Sequence, residues 1–293
     1  MGLTTRQIMV RVGAALVPGI VASTWLFGLG VLVNVAVATA AGVLLEAAWL
    51  RIRHQPYTQL SDGSTIVTCL LLALALPPAA NVAIVIIGVA IAVLIAKHLY
   101  GGLSNNLFNP AMVGYAAILV AFPQALSAWD GLSGATALDA FAHRGATTVA
   151  DVWQADAFGW VGASGFEIVN AAFLIGGGYL CAVKIARWSL ALAVLAGIGI
   201  CAALGYDDGS STSFGSPMFH WFSGGTMLCA FFIATDPVTA PVAARGQWIF
   251  GIFIGVVIFL IRSFGAYPDG IAFAVLLGNL IVPLLDKLEL APR

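Results

Sequence analysis

The run Asp130-Gly131-Leu132-Ser133-Gly134-Ala135-Thr136 ends in a hydroxyl carried on small residues, with a carboxylate at its start. Gly134 and Ala135 leave a backbone slim enough to bend into the pocket of a modifying enzyme. Thr136 offers the free oxygen that a phosphoester needs, Ser133 a local hydrogen bond, and Asp130 a carboxylate for recognition or metal ligation. The run reads as an exposed, flexible loop.

A second run is Tyr100-Gly101-Gly102-Leu103-Ser104-Asn105-Asn106-Leu107-Phe108-Asn109-Pro110-Ala111. Pro110 lacks a backbone donor and suits a first helical position, which makes Asn109 a candidate N-cap. A helical turn over this stretch would put the amides of Asn106 and Asn109 on one side. Amides donate and accept, so they suit either a cap or the polar edge of a flat heterocycle.

The third run is Ala234-Thr235-Asp236-Pro237-Val238-Thr239. A carboxylate at the end of a membrane span is costly and marks ion or proton paths. Asp236 reads as an ion-coupling residue or as a cap of the following turn. Asp62 and Asp269 are weaker members of the same class.

The elements that hold these runs follow from composition. The 293 residues are 61% hydrophobic and 9% charged, against about 25% charged in soluble domains. That composition predicts an all-α polytopic membrane protein. Apolar stretches of roughly span length fall near 12–29, 31–50, 64–78, 80–98, 109–123, 166–183, 188–205, 218–234, 247–263 and 269–286. The third ends at Pro77-Pro78 and the eighth at Pro237, which predicts paired half-helices. With the N-terminus inside, ten of the twelve Lys and Arg residues fall in inside segments, as the positive-inside rule expects. Both termini are then cytoplasmic, and the Thr136 loop faces outside.

Two landmarks recur. Ser64-Thr65 before Cys69 and Pro77 is echoed by Gly225-Thr226 before Cys229 and Pro237, and Lys97 before Asn109-Pro110 by Arg262 before Tyr267-Pro268-Asp269. Five spans is an odd number, so the repeat predicts two inverted five-helix units over residues 1–123 and 166–293, joined by an outside loop over 124–165. In such folds sites form between the repeats.

Much is excluded or left bland. A net charge of −1 argues against a nucleic-acid partner. Cys69, Cys181, Cys201 and Cys229 have no metal-ligand spacing and read as small buried hydrophobes. The four histidines do not pair in one span. No leader, phosphate loop, dinucleotide motif or nucleophilic triad is evident.

The 130–136 run, the asparagine–proline run, the 234–239 run and Ile261–Ala274 together resemble one family: the D subunits of the Rnf ion-translocating oxidoreductase complexes. More distantly the chain is similar to the B subunits of the sodium-translocating NADH:quinone reductases. The resemblance covers Arg6 to about Lys287, with a brief loop before Trp129. It implies that a flavin transferase esterifies FMN to Thr136 at a D-x-x-[ST]-G-A-T signature. It also implies a noncovalent riboflavin near Asn106 and Asn109, and a suspected role for Asp236 in ion coupling. The setting it implies is a bacterial inner-membrane complex coupling ferredoxin and NAD chemistry to ion pumping. Its partners there would be an outer-face flavin subunit and a cytoplasmic NAD-binding subunit. The rival reading is a solute channel of the ammonium or urea type, which shares the inverted-repeat plan. The flavin loop discriminates, because a simple channel has no use for it.

Overall fold

The computed structural model describes residues 3–103, 105–127, 129, 136–267 and 269–290. The described residues are helical apart from turns and one isolated bridge between Phe158 and Ala163. In chain order the helices are α1 Thr5–Phe27, α2 Gly30–Ile52, α3 Ser64–Ala75, α4 Val82–Ala90, α5 Pro110–Ala121, α6 Pro123–Ser127, α7 Ala137–Ala142, α8 Val149–Val152, α9 Phe166–Ala182, α10 Trp188–Leu204, α11 Pro217–Trp221, α12 Thr226–Leu228, α13 Ala244–Phe264 and α14 Ile271–Leu290. A 3₁₀ turn over Tyr57–Asp62 precedes α3. Wide π-type turns continue α4 through Ile91–His98 and α12 through Cys229–Ile233.

Among the described residues three helices, α1, α2 and α13, are long and apolar enough to cross a membrane, and α3, α4 with its extension, α5, α9 and α10 are shorter apolar helices. This is a multi-pass membrane protein. Local chemistry sets several ends. Thr4 and Gln7 form a reciprocal capping box on α1. Asp62 accepts from the backbone and hydroxyl of Ser64 at the start of α3. Asn109 caps α5 and Pro110 is its first residue. The stretch 105–109 is not helical, so the asparagine amides are not aligned by a helical turn as the spacing predicts.

Packing joins the two stretches on either side of the 122–165 segment. α1 lies along α9, and α5 against α14. Within the first stretch α2 packs on α3 and α4; within the second α10 packs on α13 and α13 on α14. The α10–α13 seam is built from small residues. A Cβ on Gly255 would lie 2.3 Å from the Val194 carbonyl oxygen, so glycine is what lets the two backbones touch. The short α3 ends before Pro77, whose carbonyl accepts from the buried Asn34 amide at 2.8 Å.

The stretch expected as one span over 218–234 is instead divided into α11 and α12, with turns at Ser223-Gly224-Gly225. Gly224 at φ +57° takes a left-handed conformation that glycine adopts without penalty.

One large apolar core runs through both stretches. A second, small core of Leu138, Phe141, Phe158 and Phe219 sits under the segment that carries α7 and α8. Arg144 ties this cap down, donating to the carbonyls of Phe141, Ser211 and Ser213. One end of the bundle therefore carries the cap, here the loop face. The other gathers Arg51, Arg53, Lys184, Arg187 and Arg245 at helix ends, here the basic face.

Candidate functional site

Two cavities enter the helix bundle, one from each face. The loop-face cavity has a volume of about 360 Å³, within the range of small-molecule sites. Thr136 lines it, together with Phe27, Trp129, Phe166, Tyr115 and Tyr267. The aromatic wall is itself packed, with Trp129 edge-on to Phe27 and Phe166 at centroid distances of 5.9 and 5.2 Å. Asp139 and Asp269 supply its carboxylates.

Thr136 is not the fully exposed loop residue that the small-residue run predicts. It is half-buried and stands as the N-cap of α7, its Oγ1 accepting from the Asp139 amide at 3.3 Å. An ordinary cap uses only an acceptor lone pair, so the hydroxyl keeps its O–H for other chemistry. Asp130 and Ser133 lie outside the described residues. Of the loop tryptophans, Trp153 packs on Phe158 and Phe219 and Trp160 is exposed; of the three, Trp129 alone lines the cavity.

The basic-face cavity is similar in size, about 340 Å³. Asn106, Asn109 and Asp236 all line it, with Ser64, Lys97 and Lys184. It thus unites the asparagine–proline run with the 234–239 run. The Asn106 Oδ1 is buried and has no protein partner, a state that costs about 1–3 kcal/mol and fits a site built for a ligand's N–H. Asn109 is engaged in part, which leaves a second N–H and a second lone pair on its amide. Its backbone amide donates to Asn279 Oδ1 at 3.0 Å, its Oδ1 accepts from Met112, and its Nδ2 reaches the Ile233 carbonyl at 3.5 Å. Because Ile233 lines the loop-face cavity and Asn109 the basic-face one, this contact forms part of the wall between them. Asp236 serves as a local cap, accepting from the Val238 amide at 3.2 Å and the Thr239 hydroxyl at 3.0 Å.

Each cavity has a buried charged cluster at its edge. On the basic face Lys97 donates to Glu46 at 2.8 Å, Ser64 at 2.8 Å and Thr65 at 2.5 Å, and His98 Nε2 meets the same Glu46 oxygen at 2.9 Å. Both residues lie in the π-type extension of α4. On the loop face Arg262 grips Asp269 with two nitrogens, at 3.2 and 3.1 Å, and donates to Thr226 Oγ1 and to the carbonyls of His220 and Ser223. Glu46 escaped the sequence reading, although a lone carboxylate inside an unbroken apolar stretch is itself a signal. Arg262, which departs from the charge rule, does so because it is buried and neutralised inside the bundle. No group of His, Cys, Asp and Glu suited to a metal ion occurs among the described residues.

Comparison with known proteins gives one answer. The model of the NQR2, RnfD, RnfE family matches residues 1–292. The D subunit of the ion-translocating oxidoreductase complex of Pseudomonas paraeruginosa is 44% identical over 309 residues, covering 97% of this chain and 90% of that protein. The proteins of the same name from Yersinia pseudotuberculosis and Shewanella denitrificans are 42% and 41% identical, each covering 97% of this chain and 92% of the relative. Matched from end to end, the chain belongs to the NQR2, RnfD, RnfE family.

Proposed function

We propose that this chain is the membrane electron-transfer subunit of an Rnf-type complex that couples ferredoxin and NAD oxidoreduction to ion pumping. In this reading Thr136 carries FMN through a phosphoester. The basic-face cavity holds a riboflavin, with Asn106 and Asn109 at its polar edge. The observation that carries the reading is that the motif's threonine opens onto a cavity of suitable volume with an aromatic wall. The unpartnered Asn106 Oδ1 supports the second site.

The flavins supply the redox chemistry; the chain positions them and excludes water. Phe27, Trp129 and Phe166 offer flat faces, and the Thr136 linkage fixes one end. Ser133 and Asp130 are assigned to recognition by the flavin transferase. The short wall at Asn109 and Ile233 keeps the two cavities adjacent. Asp236, on the basic-face cavity, is assigned to ion coupling.

The architecture assigned is ten helices in two inverted five-helix repeats. The pairings α1 with α9 and α5 with α14 are those a two-fold axis between the halves would give. So are Lys97 on Thr65 and Arg262 on Thr226. The positive-inside rule then makes the basic face cytoplasmic, with both termini, and the loop face external to a bacterial inner membrane. The assigned partners are an outer-face flavin subunit, a cytoplasmic NAD-binding subunit and bilayer lipid.

The test is direct. Protein purified from its native host and denatured in SDS shows a fluorescent band under ultraviolet light. Its Thr136 peptide gains the mass of one FMN residue, and Thr136→Ala loses both. An unmodified threonine in the native protein ends the reading.

A further inference from the structure

Behind the loop-face cavity stands the Arg262–Asp269 pair. The Arg262 side chain is 1% exposed and that of Asp269 is 23% exposed. Asp269 lines the cavity, as Thr136 does; Arg262 does not. Gly224 lines the cavity beside the pair; a Cβ there would fall 2.4 Å from Asp269 Oδ2, 3.1 Å from Arg262 Nη2 and 3.1 Å from Leu138 Cδ1. Leu138 is in the helix that Thr136 caps. Asp269 therefore reaches the threonine's cavity directly, and Arg262 alone stays behind its wall. The pair's negative member is nearer and its positive member farther, held in place by two backbone carbonyls and a threonine.

We propose that Arg262 and Asp269 are positioning residues that set the reduction potential of a redox group in this cavity, an inference that rests on the flavin reading above. Two electrons from the complex's own electron carriers and one proton from water convert an oxidised isoalloxazine into a ring with one negative charge. A nearby carboxylate opposes that charge and lowers the potential; a guanidinium favours it and raises the potential. Both side chains are mostly buried, so their fields are screened less than those of surface charges. Because Asp269 faces the cavity, it dominates the sum, and Arg262 limits its effect. Asp139 also lines the cavity, but it is paired with an exposed His143, where solvent weakens its field.

The intact complex is titrated with dithionite, and the signal lost in Thr136→Ala identifies the covalent flavin. Asp269→Asn should raise its midpoint potential, making the reduced-to-oxidised ratio about tenfold larger at a fixed ambient potential, or roughly 30 mV for a two-electron couple. Arg262→Gln should move it the opposite way, Arg262→Lys should leave it near the parent value, and Asp139→Asn should move it less than Asp269→Asn. Where Arg262→Gln fails to assemble, Asp269→Asn and Arg262→Lys decide. A potential unmoved or lowered in Asp269→Asn overturns the proposal. So does a shift of the same sign in Asp269→Asn and Arg262→Gln, which marks mere loosening. If the parent protein carries no covalent flavin, the functional reading falls and the tuning with it. If the flavin is present and the potentials hold still, only the tuning falls.

Discussion

The two faces of the bundle solve one problem with opposite polarity. Each buries a basic residue near the N-terminal end of a short helix and binds it to a threonine there. On the basic face the cation, Lys97, reaches the cavity while Glu46 stays behind it; on the loop face the anion, Asp269, reaches the cavity while Arg262 stays behind. The chemistry of the cations explains the difference. A guanidinium is a planar fork that satisfies several carbonyls at once and so can sit in a wall of backbone. An ammonium is compact and has three donors, which Glu46, Ser64 and Thr65 fill. Under the functional reading, a reduced anionic ring is favoured beside Lys97 and opposed beside Asp269, so the contrast predicts a potential that rises from the loop face to the basic face.

The sharpest way to break that contrast is to empty one cavity and not the other. Thr136→Ala should abolish the covalent flavin entirely while the flavin released by acid from the basic-face cavity is kept. Chromatography of extracted flavin against SDS-stable fluorescence measures both. Loss of both together would mean that the cavities are not independent sites.

Next in size is the charge lock of the basic face. Glu46→Ala leaves Lys97 buried without its anion, a change worth about 3–5 kcal/mol when a buried pair is broken. Thermal unfolding in detergent should show a large loss of stability. Asp269→Ala should cost less, because its carboxylate is partly exposed and Arg262 keeps two carbonyls and a threonine. Equal losses would make the two clusters equivalent and remove the asymmetry argued above.

Asn106→Leu probes the basic-face cavity more gently. It removes a buried acceptor that has no protein partner, so the flavin-free protein should be no less stable. Binding of added riboflavin should weaken about tenfold, the worth of roughly 1.4 kcal/mol. A variant that binds flavin as before takes Asn106 out of the site.

Much of this was legible in the chain. Apolar stretches gave the helices, and Asn109-Pro110 gave the start of α5, because these depend on local chemistry. The triad at Glu46, Lys97 and His98 was not legible as a contact, since its members meet only when α2 packs on the π-turn extension of α4. The break at Ser223-Gly224-Gly225 was hidden because its flanks are as apolar as a continuous span; what requires it is the close approach of Asp269 and Arg262 to Gly224. The cap role of Thr136 was concealed by its own motif. Small residues beside a hydroxyl signal access, and nothing in them reports the α7 backbone that the hydroxyl also holds.

The smallest expected change in stability is at Asp236, and it bears most on coupling. Its two oxygens accept from the Val238 amide and the Thr239 hydroxyl. Asparagine keeps the first bond, and a threonine hydroxyl can turn from donor to acceptor to meet the new amide, so Asp236→Asn should change stability by less than about 0.5 kcal/mol. Both flavins should remain. What the substitution removes is a charge on the edge of the basic-face cavity, the carboxylate that a sodium ion or proton would need there. Ions moved per electron, measured in vesicles at equal flavin content, should therefore fall while electron transfer continues. A local cap has no means of changing that ratio without first changing the fold. An unchanged ratio in a stable, fully loaded variant would leave Asp236 as a cap and place ion coupling outside this cavity.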